Sequence, residues 1–264
     1  MDWEHKVGVI GGGSWGTAIA HLAGLNGFKV FLWLRDETIA HEINEKHTNI
    51  KYTENLALSE NIQATSDLEK VVKTCPTLFF VIPSVSARQV LHQLGDYLTG
   101  AHLLIHCIKG FEHETFQPIS ELIIEETCCR KLGVLSGPNL SKEILLGYPS
   151  ATVVASKFTE VVTQAQKILA SRTFRVYGNQ DVIGAEVAGA FKNIIAIGSG
   201  VAAGMGFGDN TKSLLLARGL VEMTRFGLHL GAEASTFRGL AGMGDLIATC
   251  ASPLSRNYQV GFQI

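Results

Sequence analysis

Over the first 180 residues, short apolar runs alternate with stretches in which apolar residues recur every three or four positions; beyond that point the short runs cease. The runs predict strands at Lys6–Ile10, Lys29–Leu34, Thr77–Ile82, His102–Cys107, Lys131–Leu135, Thr152–Ala155 and Phe174–Tyr177, with a shorter one at Ile62–Ala64. Several are almost continuously apolar, as in Leu78-Phe79-Phe80-Val81-Ile82. A parallel strand covered on both faces requires that pattern. Helical periodicity fills the intervals at Ser14–Leu25, Thr38–His47, Asp67–Thr74, Ser86–Leu98, Phe116–Cys128, Leu140–Leu146 and Thr159–Ala170. Strands alternating with helices imply βαβ units with right-handed crossovers. From Asp181 the pattern predicts only glycine-broken helices, at Val182–Ala203, Asn210–Leu230 and Ser235–Cys250, with a turn at Gly204-Met205-Gly206-Phe207-Gly208. The expected class is α/β. A Rossmann-like, doubly wound, mostly parallel sheet occupies residues 1–180, and an all-α domain follows in 181–264. The helical part reads as incomplete, because the pattern stops within Tyr258–Ile264.

The first strand runs straight into Gly11-Gly12-Gly13-Ser14-Trp15-Gly16, and a helix follows. G-x-G-x-x-G in that context is a dinucleotide-binding turn. Gly11 makes the tight turn, Gly13 admits a pyrophosphate to the backbone, and Gly16 lets helix and strand pack closely. The free amides and positive end of the helix dipole then face the anion. At the end of the second strand an acid would accept ribose hydroxyls and an arginine would pair with a 2′-phosphate. The chain carries both, as Arg35-Asp36; Arg35 is the better placed, which favours NADPH with NADH use also open.

Composition narrows the partners. The 264 residues are 46% hydrophobic and 17% charged, with 22 basic and 24 acidic residues and a net charge of −2. This gives no electrostatic case for nucleic acid or an anionic membrane surface. Five cysteines without a C-x-x-C pair read as free thiols in a reducing compartment, and no metal site is expected. The N-terminus lacks a basic region followed by a long apolar one, so no secretory signal is expected. Val182–Met205 is long and apolar enough to span a bilayer, yet it contains Glu186, Lys192 and Asn193. A buried helix of a soluble protein fits better.

Ligands of open α/β sheets bind beyond the carboxyl ends of the strands. Lys109 leaves one such end, with Gly110 behind it. Ser136-Gly137-Pro138-Asn139-Leu140-Ser141 leaves another, with Asn139 in position to cap the next helix. Lys192 lies inside the long apolar helix. Burial there lowers its proton affinity and demands a carboxylate or ligand, which suits general acid–base work. Asp245, in Gly242-Met243-Gly244-Asp245-Leu246, is either that partner or a helix cap. Ser255-Arg256-Asn257 combines a cation with two hydrogen-bonding side chains, a set that suits a phosphate or simply a polar loop.

Together these segments resemble bacterial-type NAD(P)-dependent glycerol-3-phosphate dehydrogenases. The resemblance covers essentially the whole chain and also includes Phe174-Arg175-Val176-Tyr177, Lys192 to Gly198 and Gly206-Phe207-Gly208. It implies reversible hydride transfer between NAD(P)H and dihydroxyacetone phosphate, supplying glycerol 3-phosphate for phospholipid synthesis, in a cytoplasmic homodimer. It implies Lys192 as proton donor and acceptor. Lys109, Gly137, Asn139, Asp245, Ser255, Arg256 and Asn257 would be substrate neighbours. Ser14, Trp15, Arg35, Lys109, Ser141 and Arg256 would be coenzyme contacts beside Gly11, Gly13 and Gly16. The family often has Ser or Thr at the position of Asn139 and Ala at that of Ser141, and its chains continue with a Val-Glu-Gly segment that is not present in this sequence. Competing classes fit less well. The G-x-x-x-K-x-x-x-N helix of β-hydroxyacid dehydrogenases fails at Ala188 and Ala196. A nucleotide-sugar dehydrogenase needs a nucleophilic cysteine, for which Cys250 is the candidate. A dinucleotide-sensing regulator has no use for Lys109, Lys192 and Asp245 together.

Overall fold

A computed structural model describes residues 5–253 and 255–264; Met1–Glu4, which begin the N-terminal segment read above, and Leu254 lie outside them. Among the described residues, eight strands form one sheet: β1 (Lys6–Ile10), β2 (Lys29–Trp33), β3 (Ile62–Thr65), β4 (Thr77–Phe80), β5 (Leu103–His106), β6 (Lys131–Ser136), β7 (Ser150–Ala155) and β8 (Phe174–Asn179). Their order is β3-β2-β1-β4-β5-β6-β7-β8. All neighbours are parallel except β6 and β7, which are antiparallel. The order reverses between β1 and β4, so the crevice for a ligand opens at their carboxyl ends.

Alternation along the strands explains the two cores. In β4, Phe79 packs into the layer on one face, with Val7, Val9 and Leu32, while Leu78 and Phe80 pack on the other with Ile10 and Leu104. Side chains that alternate faces while all being apolar are what a doubly covered sheet needs. The covering helices are α1 (Ser14–Leu25), α2 (Glu37–Lys46), α3 (Ile50–Thr53), α4 (Leu68–Thr74), α5 (Ala87–Gly95), α6 (Ile119–Glu126), α7 (Ser141–Leu145) and α8 (Thr159–Leu169). The short α3 is absent from the sequence reading.

The remainder is helical: α9 (Val182–Gly204), α10 (Asp209–His229), α11 (Ala234–Arg238), α12 (Asp245–Ala251) and α13 (Arg256–Gln263). Asp181 caps α9, accepting the Gly184 amide at 2.8 Å. α9 is long and apolar enough to cross a membrane, but it packs against α10, α12, α13 and β6, and its Glu186 and Lys192 are buried inside the protein. The single helix expected over Ser235–Cys250 is broken. It ends at Arg238, makes one wide π turn at Leu240–Gly244, and restarts at Asp245. Gly242 lies so close to the Phe237 backbone that a Cβ would overlap it. A third apolar cluster, including Val187, Met223, Phe237 and Leu246, holds these helices together.

Candidate active site

The turn after β1 is shaped to hold an anion. Gly11 has φ +121°, a conformation that L side chains rarely adopt, and its amide is fixed to the Trp33 carbonyl at 2.9 Å. A Cβ on Gly16 would overlap the Gly11 carbonyl oxygen, so α1 can sit against the strand only with glycine there. Gly13 is the N-cap of α1. No side chain caps it, no acid occupies the first turn, and a Cβ at Gly13 would meet no atom within 4 Å. The first amides of α1 therefore face open space, as a pyrophosphate requires. Asn49, which sequence reasoning missed, pins the turn: its amide donates to the Gly12 carbonyl at 3.0 Å and the Thr17 hydroxyl at 2.9 Å. Ser14 donates to the Tyr52 carbonyl at 3.0 Å, and half-buried Trp15 packs on the core.

Arg35 is exposed just past β2. Asp36 caps α2, accepting the Thr38 and Ile39 amides at 3.1 and 3.3 Å, and Lys51 Nζ lies 3.9 Å from its other oxygen. Its carboxylate is thus engaged locally, leaving Arg35 as the freer group at that strand end.

Asp245 joins the two lysines singled out from the sequence. Lys192 Nζ donates to Asp245 Oδ1 at 2.5 Å and to the Thr249 hydroxyl at 2.7 Å. Lys109 Nζ donates to Asp245 Oδ2 and to the Gly137 carbonyl, both at 2.8 Å. The Lys192 and Asp245 side chains are 6% and 2% exposed, and that of Lys109 is 22% exposed. Two ammonium groups sharing one carboxylate leave the cluster net positive. Burial, then the neighbouring Lys109 charge, lower the Lys192 pKa to about 8 against the opposing pull of Asp245. Thr249 was not identified from the sequence, although its i+4 spacing from Asp245 puts both on one face of α12.

A ladder of amides continues from the cluster. Asn193 donates to the Lys109 carbonyl at 3.1 Å, and Asn257 donates to Asn193 Oδ1 at 2.8 Å. Ser255 is the N-cap of α13, with its buried hydroxyl oxygen accepting the Tyr258 amide at 3.3 Å; Arg256 opens the helix and is exposed. Asn139 does not cap the next helix. Leu140 holds that position in α7, and the Asn139 amide donates instead to Thr152 Oγ1 at 3.1 Å. The cause is the antiparallel β6–β7 pair, which sets Thr152 beside the end of β6. Ser141 begins α7 and is partly exposed. Ser136 Oγ and Asn139 Oδ1 are buried without a hydrogen-bond partner. Ser136 shares the wall at Gly189 with Lys109: a Cβ on Gly189 would lie 3.3 Å from Ser136 Oγ and 3.5 Å from Lys109 Cγ. The unpaired Ser136 hydroxyl beside a net positive cluster fits a small oxygen-rich ligand.

Cys250 is buried, and burial pushes its thiol up to about 12, which argues against a cysteine nucleophile. Among the described residues, no group of three or more His, Cys, Asp or Glu side chains is placed to hold a metal.

The chain is similar to known proteins over nearly its whole length. Residues 6–162 match the family profile described as NAD-dependent glycerol-3-phosphate dehydrogenase N-terminus, and residues 181–264 match that of its C-terminus. A glycerol-3-phosphate dehydrogenase [NAD(P)+] of Acinetobacter baylyi is 48% identical over 98% of this chain and 72% of its own. That of Halothermothrix orenii is 46% identical over 98% of this chain and 76% of its own. The crystal structure of glycerol-3-phosphate dehydrogenase from Coxiella burnetii superposes with a TM-score of 0.93 at 31% identity, covering 98% of this chain and 79% of that one.

Proposed function

The chain belongs to the NAD-dependent glycerol-3-phosphate dehydrogenase family, and we propose that it interconverts dihydroxyacetone phosphate and sn-glycerol 3-phosphate with Lys192 moving the proton. The observation that carries this reading is the Lys109–Asp245–Lys192 bridge: a buried amine near neutrality, held by a carboxylate that a second ammonium also grips. A nicotinamide coenzyme, when bound, supplies or takes up the hydride. Gly11, Gly13, Ser14, Trp15 and Gly16 would hold its pyrophosphate, Arg35 its adenosine end, and Lys109, Ser141 and Arg256 would lie along it.

The chain's own groups do the rest. In the reducing direction Lys192 gives a proton to the oxygen at C2 of the substrate, and in the oxidising direction it takes one. Its half-way pKa lets it do both near neutral pH. Lys109 adds positive charge where the alkoxide develops. Asp245 and Thr249 fix the Lys192 amine so that a single direction remains for substrate. Ser255, Arg256 and Asn257, at the start of α13, hold the substrate phosphate. The Ser255 oxygen accepts a backbone amide and so keeps its own proton to donate, while the guanidinium supplies charge. Gly137 and Asn139 border the substrate on the β6 side. Residues 1–180 serve as the coenzyme domain and 181–264 as the substrate domain of a cytoplasmic homodimer that feeds phospholipid synthesis.

The test is reduction of dihydroxyacetone phosphate, followed by loss of reduced-coenzyme absorbance, with NADPH and NADH in parallel. Turnover with this substrate and faster use of NADPH are expected. Coenzyme oxidation with a 3-keto acid but not with dihydroxyacetone phosphate would reject the assignment.

A further inference from the structure

Glu186 is a buried carboxylate that the reaction does not use. It is 3% exposed and lies on α9 six residues before Lys192. Its Oε1 accepts the Ser120 amide at 2.8 Å, and its Oε2 accepts the Ser120 hydroxyl at 2.6 Å. His106 Nε2, wholly buried, is 3.1 Å from Oε1, a close contact without hydrogen-bond geometry. The placement of these partners is informative. His106 is the last residue of β5 and precedes Lys109 by three positions; Ser120 lies in the first turn of α6, where the loop that starts with Lys109 ends. Glu186 therefore binds the far end of the segment that carries Lys109 and packs against its near end.

The same face of α9 touches that segment twice more. Gly189 packs against the Lys109 side chain, and Asn193 holds the Lys109 carbonyl. Glu186, Gly189 and Asn193 are spaced i, i+3 and i+7, which makes one stripe along a helix. Lys192 projects from an adjoining face, about 9 Å along the axis from Glu186 and about 240° around it. An apolar stripe would hold the helix in place while letting it slide. A buried carboxylate with two charge-assisted bonds is satisfied in one register only.

We infer that Glu186 is a positioning residue: by tying the start of α6 to α9, with the end of β5 packed against it, it sets the distance between Lys109 and Lys192, so that both amines reach Asp245 together. The inference rests on the reading of those lysines as reaction groups. Displacement of a reacting group by about 1 Å can lower turnover by about 100-fold. Accordingly E186Q, which keeps shape but not charge, lowers kcat by ~10–100-fold and changes coenzyme affinity, read by fluorescence titration, less than K109M does. Glu186 acts through Lys109, so E186Q adds little further loss on a K109M background. S120A, which keeps the backbone bond, gives a smaller loss of the same kind and serves if E186Q does not fold. A crystal structure of the Glu186 or Ser120 variant should show the Lys109–Asp245 contact lengthened beyond hydrogen-bond distance. An unchanged kcat, a full additive loss in the K109M background, or an unmoved Lys109–Asp245–Lys192 bridge would each overturn the inference. If the parent protein shows no turnover, the proposed reaction fails, and the crystallographic comparison decides the clamp alone.

Discussion

Replacing Asp245 with Asn takes away the carboxylate that holds two ammonium groups. Removing one partner of a buried ion pair ordinarily costs about 3–5 kcal/mol, because the other charge is left stranded. Lys192 has a cheaper escape. Its pKa is already lowered to about 8, so shedding the proton at pH 7 costs only on the order of 1 kcal/mol. Lys109, 22% exposed, can turn its amine toward water and adds little. The loss of stability from Lys192 is then on the order of 3 kcal/mol at pH 6 and roughly half that at pH 7, and it vanishes above pH 8, where the parent lysine is neutral too. The sign follows from proton binding. With its pKa depressed on folding, Lys192 binds its proton more weakly in the folded state than in the unfolded one, so parent stability rises with pH from about 8 to the unfolded value of about 10.4. In D245N that rise begins below pH 7. Urea unfolding at pH 6, 7 and 9 measures it, and the neutral amine should lower dihydroxyacetone phosphate reduction at pH 7 by ~100-fold or more. A stability deficit that does not change with pH, or turnover close to that of the parent, would refute the reasoning.

Two further expectations follow from the same geometry. Reduction needs the protonated Lys192 amine and should decline as pH rises through about 8, whereas oxidation of glycerol 3-phosphate needs the neutral amine and should increase across the same range; initial rates in both directions check this. R35E should raise the KM for NADPH by ~10-fold or more and leave that for NADH nearly unchanged, because a carboxylate at that strand end repels a 2′-phosphate and accepts ribose hydroxyls; equal effects on both coenzymes would count against Arg35 as the discriminating group.

The sheet was legible because its central strands are short apolar runs bounded by polar or glycine residues, while β3 and β8 at its edges alternate, and the glycine turn declared which strand comes first. The site was legible where a charge interrupts an apolar context, as at Lys192 and Asp245. Thr249 and Asn193 escaped because a Thr or Asn on a helix carries no such contrast. The break between α11 and α12 escaped because Gly242 acts through contact with the Phe237 backbone rather than through periodicity. That break matters, since it makes Asp245 the first residue of a new helix, from which it meets both lysines. Asn139 was misread as a cap because its partner, Thr152, comes from an antiparallel neighbour that local sequence does not disclose.

The account turns on the amine at position 192, and K192A tests it most directly when turnover and coenzyme binding are measured on the same preparation. The account predicts that reduction of dihydroxyacetone phosphate falls by ~10²–10⁴-fold while NADPH binds with undiminished affinity. Retention of about a tenth or more of the parent rate, with the coenzyme still bound, would contradict it.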